Sequence, residues 1–287
     1  MSKEDKPKTK GKDRYAVFGN PIKHSLSPQI HTAFAKQTEQ ALGYRAHLVE
    51  EDRFEAAAQT FFENKGKGLN ITVPFKMDAY EFADQLSPRA RAAGAVNTLA
   101  RQDDGKIYGD NTDGVGLVRD IERNLGWTFE DKRVLLLGAG GAIRGILLPL
   151  LKCKPAHVVI ANRTPDKARK LAQAFSEKGP VRGCSFDGLG GNQFDLIING
   201  TSASLRGEVP PIQGDIIGDE ACCYDMMYAA EPTPFMRWAA SQAAWATADG
   251  LGMLVEQAAE SFCIWRGIRP DTKPVIAAMR AHLEEHA

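Results

Sequence analysis

From Arg133 onward the chain repeats a pattern that few folds can satisfy: a short apolar run, a turn, then a segment of helical period. The apolar runs are Arg133–Leu137, His157–Ala161 and Asp195–Ile198, and helical segments follow at Ala142–Leu151 and Pro165–Phe175. Strands that alternate with helices form a parallel sheet, because right-handed crossovers return each strand in the same direction. The first turn reads Gly138-Ala139-Gly140-Gly141-Ala142. Gly138 and Gly140 let the backbone turn tightly and approach a pyrophosphate, whose charge the helix N-terminus favours. A pair of glycines is weak evidence alone; its place between an apolar run and a helix strengthens it. The competing reading is a tight βα turn with no ligand. Ile143 stands where the third glycine of the usual fingerprint would be, so the helix must pack on its strand somewhat differently.

The end of the second strand bears on the choice of dinucleotide. A site for the unphosphorylated form usually places Asp or Glu there, about 20 residues on, to bond the ribose 2′-hydroxyl. This chain has Asn162-Arg163-Thr164, with Lys167 nearby. A carboxylate would repel a 2′-phosphate, whereas a guanidinium pairs with it in bidentate fashion. The sequence therefore favours NADP, against the plainer reading of Arg163 as a solvated loop charge.

The preceding half is also α/β, with some antiparallel pairing. Tyr15–Phe18 reads as a buried strand, and Ser27-Pro28 as a helix start with Ser27 as N-cap. Tyr44–Val49 alternates like a strand, Phe54–Phe62 is helical, and Gly68–Val73 is a strand with a helix after Pro74. Ala95–Ala100 and Lys106–Tyr108 flank Asp104-Gly105, a hairpin signal. Val115–Leu125 reads as a connecting helix. The chain ends in helices: Leu251, Leu254, Val255, Ala258, Ala259 and Phe262 form one stripe, stopped by Gly267, and Ile276, Met279 and Leu283 form another.

Composition narrows the function classes. The 287 residues suffice for two cores, and formal net charge is zero, so neither nucleic acid nor an anionic membrane is favoured as partner. The five cysteines are odd in number, scattered and without C-x-x-C spacing, a pattern of reduced thiols in a cytosol rather than of disulfides or a metal site. The Lys-rich stretch Met1–Arg14 lacks the apolar segment of a secretory signal and reads as a disordered tail.

Two polar residues suggest a reaction. Lys76 follows Asn70-Ile71-Thr72-Val73-Pro74-Phe75, and Asp113 sits in Asn111-Thr112-Asp113-Gly114. Oxidising a secondary alcohol requires hydride loss from carbon while the hydroxyl proton departs. A lysine near the oxygen can stabilise the alkoxide or take the proton, and an aspartate can orient that lysine. Which member moves the proton is open at this level. Each residue alone has a plainer reading: Lys76 as a solvated helix residue, Asp113 as a helix N-cap, and Asn70, Thr72 and Asn97 as turn or strand-edge residues. Their co-occurrence near strand ends shifts the balance towards a site.

Together these segments resemble the shikimate dehydrogenases, NADP-dependent enzymes of the aromatic (chorismate) pathway. The resemblance rests on Gly19-Asn-Pro-Ile-Lys-His-Ser-Leu-Ser-Pro28, Asn70–Lys76, Gly94-Ala-Val-Asn-Thr98, Gly109–Asp113, Gly138–Arg144, Asn162–Thr164, Tyr224–Tyr228 and Asp249–Gln257. Beyond the tail over 1–14, it implies a substrate domain over 15–112 completed by 250–287, and a Rossmann-type NADP domain over 113–249. The first would hold a mixed sheet, the second a parallel one, with the C-terminal helices packing back on the first. It implies Lys76 and Asp113 as catalytic pair, Ser25 and Ser27 on the substrate carboxylate, and Asn70, Thr72, Asn97, Tyr228 and Gln257 around the hydroxylated ring. Gly138, Ala139, Gly140, Gly141 and Ala142 would hold the pyrophosphate, Asn162, Arg163, Thr164 and Lys167 the 2′-phosphate, and Met226 and Gly250 the nicotinamide side. The implied enzyme is cytoplasmic, and monomer and homodimer are both open.

One departure stands out. The family commonly has Asn-(Ala/Gly)-Thr-Ser-x-Gly, whereas this chain has Asn199-Gly200-Thr201-Ser202-Ala203-Ser204. If that glycine needs positive φ, the loop must adjust. The rival readings are an NAD-using quinate/shikimate dehydrogenase, opposed by Arg163 and by the two serines, and a non-catalytic NADP-binding sensor, opposed by the intact Lys76 and Asp113. Another lysine-dependent Rossmann enzyme, such as a folate dehydrogenase, would leave Ser25, Ser27 and Gln257 unexplained.

Overall fold

The computed structural model describes residues 11–286. The expected tail therefore lies mainly outside the described residues, but its last part is corrected: β1 (Asp13–Gly19) begins ahead of Tyr15. The Arg266 guanidinium ion-pairs with Asp13 at 2.5 Å and donates to the Tyr15 hydroxyl at 3.4 Å, which ties the start of the strand to the C-terminal helices.

The first sheet contains β1, β2 (Leu42–Leu48), β3 (Gly66–Ile71), β4 (Gln85–Leu86), β5 (Thr98–Arg101) and β6 (Ile107–Asp110), in the order β2-β1-β3-β5-β6-β4. β1 is parallel to β2 and β3, whereas β5 is antiparallel to β3 and β6, so the sheet is mixed. Gly105, at φ 87°, makes the turn between β5 and β6. β1 is apolar at every central position because both its faces are covered. Tyr15 and Val17 join a core with α1 (Ser27–Gln37), while Ala16 and Phe18 point the other way, into a core with α2 (Phe54–Glu63). Two short helices, α3 (Lys76–Phe82) and α4 (Pro88–Ala93), complete this region.

After α5 (Asp113–Arg119) comes the second sheet, built from β7 (Arg133–Leu137), β8 (His157–Ala161), β9 (Val181–Cys184), β10 (Phe194–Asn199), β11 (Ile217–Asp225) and β12 (Ala246–Asp249). Its order, β12-β11-β10-β7-β8-β9, is parallel throughout, with α6 (Gly141–Lys152), α7 (Pro165–Phe175) and α8 (Pro234–Ser241) among the connections. The strand order reverses between β7 and β10, and a doubly wound sheet binds ligands in the crevice at such a point. α9 (Leu251–Arg266) and α10 (Lys273–Glu285) then return to the first sheet, where Val255, Phe262 and Met279 pack with Tyr15, Ile30 and Phe34.

The structure differs from the sequence reading at several elements. Ser27 is the first residue of α1, not its N-cap; that position is Leu26, and the Ser25 hydroxyl instead accepts the Ser27 backbone N–H at 3.3 Å. The connecting helix starts at Asp113 rather than Val115, and its last turn, Asp120–Asn124, is a π-helix. That turn carries the buried Asp120, whose carboxylate accepts from the Tyr224 hydroxyl at 2.7 Å and from Asn124 at 3.0 Å. β11 went unread because Asp219 and Glu220, the latter at φ 54°, interrupt its apolar run, and β9 and β12 are short edge strands.

Candidate functional site

Register aligns the ends of four strands in the second sheet: Leu137 pairs with Asn199, Asn199 with Asp225, and Asp225 with Asp249. The next residues, Gly138, Gly200, Met226 and Gly250, therefore form a row along the carboxyl edge. Gly138 adopts φ 106°, a conformation that favours glycine, and a Cβ there would lie 3.3 Å from Thr201 Cγ2. A Cβ on Gly200 would fall 2.4 Å from Ile143 Cδ1. The bulk that replaces the third fingerprint glycine is thus accommodated by a glycine on the facing loop.

The residues fit a dinucleotide phosphate. Gly140 is the N-cap of α6, and a Cβ on Gly140 or Gly141 would meet nothing within 4 Å, so both face open space at the helix N-terminus. At the end of β8, Asn162 Nδ2 donates to the Thr164 carbonyl at 2.9 Å and shapes the turn. Arg163 and Lys167 are exposed and, among the described residues, pair with no carboxylate. The nearby Asp166 is engaged by Arg169 at 3.0 Å. Two free cations at the edge of a dinucleotide crevice suit a phosphate better than a neutral ribose hydroxyl.

Facing this row is a cavity of about 340 Å³ lined from both sheets and from α9. It gathers Ser25, Ser27, Asn70, Thr72, Lys76, Asn97, Asp113, Tyr228 and Gln257, together with Met226 and Gly250. Gly138 through Ala142 and the Asn162–Lys167 group are not among its lining residues; they lie along the neighbouring carboxyl edge.

Lys76 Nζ donates to Asp113 Oδ2 at 2.6 Å, an ion pair between residues 37 positions apart. Asp113 is not an N-cap; its other oxygen accepts from Asn97 Nδ2 at 2.7 Å. Asn97 Oδ1 in turn accepts the Thr112 backbone N–H at 2.9 Å and the Thr98 hydroxyl at 2.8 Å. The aspartate is therefore held with one oxygen on the lysine and the other on a buried amide.

Asn70 is held as firmly. Its Oδ1 accepts from the Tyr44 hydroxyl at 2.7 Å and lies 3.0 Å from His31 Nε2, while its Nδ2 donates to Ser261 Oγ at 3.0 Å. Both lone pairs of that oxygen are taken, so Nε2 carries the proton of a neutral His31, and Nδ1, buried and without a partner among the described residues, stays bare. Burial holds the His31 pKa down at about 3 against the Asn70 hydrogen bond, because a second proton would have no acceptor. By contrast, the Thr72 and Tyr228 hydroxyls have no protein partner among the described residues. The Thr72 methyl is set against Gly19, where a Cβ would lie only 2.3 Å from it.

Sequence reasoning missed Thr112, Thr98, Ser261, Tyr44 and His31. Ser261 carried a readable signal, four positions after Gln257 on the same face of α9, and its hydroxyl donates back to the Gln257 carbonyl at 3.0 Å. Tyr44 and His31 carried none. Ser204 does not adopt the left-handed conformation: it lies in a 3₁₀ turn, Ser204–Arg206, and positive φ falls to Gly207 at 73°.

Comparison with known proteins places the chain in a family. Residues 17–99 match a family model described as shikimate dehydrogenase substrate binding domain, 120–206 one described as shikimate / quinate 5-dehydrogenase, and 250–280 one described as shikimate 5′-dehydrogenase C-terminal domain. A shikimate dehydrogenase (NADP(+)) of Saccharophagus degradans is 60% identical over 93% of this chain and 99% of its own. The crystal structure of an Ael1 enzyme from Pseudomonas putida superposes with a TM-score of 0.88 at 48% identity, covering 93% of this chain and 97% of its own. That of a shikimate dehydrogenase in complex with NADP+ gives 0.84 at 30% identity, covering 95% and 96%. Among the described residues no helix is long and apolar enough to cross a membrane.

Proposed function

The chain belongs to the shikimate dehydrogenase family, and from that premise we propose that it is an NADP-dependent oxidoreductase interconverting 3-dehydroshikimate and shikimate, with Lys76 and Asp113 as its catalytic pair. The observation that carries the assignment is the 2.6 Å contact of Lys76 Nζ with Asp113 Oδ2 in a cavity also lined by Met226 and Gly250 of the strand-end row. When bound, NADP(H) supplies or accepts the hydride equivalent at ring C3. The chain manages the proton: Lys76 Nζ delivers one to the C3 oxygen on reduction and receives it on oxidation, while Asp113 fixes the amine in place.

Ser25 and Ser27 would hold the substrate carboxylate, next to the N-terminus of α1, whose dipole favours an anion. Thr72, Tyr228 and Gln257 would meet ring hydroxyls, between the walls formed by Asn70 and Asn97. A substrate lacking one of those hydroxyls would leave a polar partner unmatched, which is the basis of discrimination. Gly138 through Ala142 would hold the pyrophosphate, Asn162, Arg163, Thr164 and Lys167 the 2′-phosphate, and Met226 and Gly250 would flank the nicotinamide. On this reading the two domains meet at Asp113, and the product serves aromatic amino acid biosynthesis through chorismate.

The test is a two-by-two assay of shikimate against quinate and NADP+ against NAD+, followed by reduced-cofactor absorbance, in the parent and in Lys76→Ala. We expect shikimate with NADP+ to dominate, and Lys76→Ala to lose at least ~10²-fold in kcat with NADP+ binding retained. Equal or better turnover of quinate with NAD+ would overturn the substrate and cofactor assignment. An inactive parent that still binds NADP+ would point to a sensor.

A further inference from the structure

Asp225, at the end of β11, is fully buried and, among the described residues, pairs with no cation. Its Oδ1 accepts from Asn199 Nδ2 at 3.1 Å and from the Met227 backbone N–H at 3.1 Å. Its Oδ2 accepts the Ser204 and Thr233 hydroxyls, each at 2.6 Å. Asn199 and Ser204 are the two ends of one loop, and the segment between them forms a wall of the crevice. Gly200 lies against Ile143 at the start of α6 and against Met226, and Thr201 against Gly138. Inside the loop, Asn199 Oδ1 accepts the Thr201 backbone N–H at 3.1 Å and the Thr201 hydroxyl at 2.8 Å.

We propose that the Asp225 carboxylate is a clamp that closes both ends of the 199–204 loop, and that Ser204, where the family commonly has glycine, is a positioning residue for the dinucleotide. Glycine has no side chain to reach Asp225, so the second end of the loop would be held by backbone alone. Ser204 supplies a hydroxyl to a carboxylate, a charge-assisted bond stronger than a neutral one. The loop it secures is one that NADP(H) must find in place, and ordering it beforehand removes that cost from binding. Burial pushes the Asp225 carboxyl up, against the four donors that favour its charged form. This inference rests on the assignment of the crevice to NADP(H).

The test compares the parent with Ser204→Ala, Ser204→Thr and Thr233→Val, the last removing the other hydroxyl on the same oxygen without altering the loop. Calorimetry measures NADP+ binding without shikimate and shikimate binding without NADP+. Hydrogen exchange follows the backbone amides of residues 200–206 in ligand-free protein. For Ser204→Ala we expect NADP+ affinity to fall about 5-fold to 10-fold, exchange of these amides to accelerate, and shikimate affinity to stay within about two-fold. Ser204→Thr should recover both, and Thr233→Val should lower thermal stability while leaving loop exchange and NADP+ affinity nearer the parent. If Ser204→Ala does not fold, Ser204→Gly carries the same comparison. Unchanged exchange in Ser204→Ala overturns the clamp, whatever happens to affinity. Faster exchange with unchanged NADP+ affinity overturns the positioning role. A parent that binds no NADP+ at all overturns the cofactor assignment and the positioning role with it, while exchange still reads the clamp.

Discussion

At His31 a neighbouring oxygen decides a protonation state. Asn70 Oδ1 can only accept, so the imidazole donates from Nε2, and ring stacking on Tyr44, with centroids 4.2 Å apart, leaves Nδ1 dry. Its folded pKa of about 3 lies below the unfolded value of about 6.5, so this group's stability contribution is complete above the unfolded pKa and is lost as pH falls towards the folded one. Between those limits it should contribute a slope of up to ~1.4 kcal/mol per pH unit. Urea midpoints measured from pH 7 down to pH 4 should therefore fall less steeply in His31→Gln than in the parent; parallel slopes would refute the assignment. Arg163 offers a second residue-scale test. Without its guanidinium, Arg163→Ala should raise the KM for NADP+ about 10-fold or more and that for NAD+ less than about two-fold. Equal effects on both cofactors would return Arg163 to the status of a solvated loop charge. The residue types were readable in the sequence, whereas Asn70 and Tyr44, the partners that give His31 its chemistry, were not, because they come from other elements.

Among the elements, α5 does the most to assemble the site. It begins with Asp113 and carries two glycines that admit a neighbour on either side. A Cβ on Gly114 would lie 2.8 Å from the Gly145 carbonyl of α6, and one on Gly116 would lie 2.8 Å from the Gln257 backbone nitrogen of α9. These close approaches bring Gln257 to 3.3 Å from Asn97 Nδ2, across 160 positions of sequence. Gly116→Ala should therefore push α9 outward, destabilise the protein by about 1–3 kcal/mol and raise the KM for shikimate more than that for NADP+. Denaturant unfolding and steady-state kinetics measure the two effects, and a stable variant with unchanged kinetics would show that α9 is not seated this way. Element type was largely legible: the strands at Arg133–Leu137 and His157–Ala161 and the helix at Pro165–Phe175 stand where hydrophobic period put them. Capping was less so, since Ser27 looked like an N-cap and is instead the first residue of α1, with its hydroxyl beside Tyr44.

For the whole molecule, a cavity lined from both sheets predicts that each ligand stabilises the entire chain. At a hundred times its Kd, shikimate alone should add ~2.7 kcal/mol and raise Tm by roughly 5 to 10 °C, and NADP+ alone should do the same. Quinate and NAD+ at equal concentrations should shift it less. A thermal shift assay with no response to shikimate would contradict the cavity's assignment. The amino-acid sequence by itself determined the parallel sheet, the glycine turn and the set of polar residues near strand ends, because periodicity and local turn chemistry act over a few residues. The meeting of Lys76 with Asp113, the saturation of Asn70 by His31 and Tyr44, and the tie of Ser204 to Asp225 were decided by tertiary structure alone. Each is a hydrogen bond between groups more than twenty positions apart. Such bonds depend on strand register and on how closely helices approach, and both are set only when the cores pack.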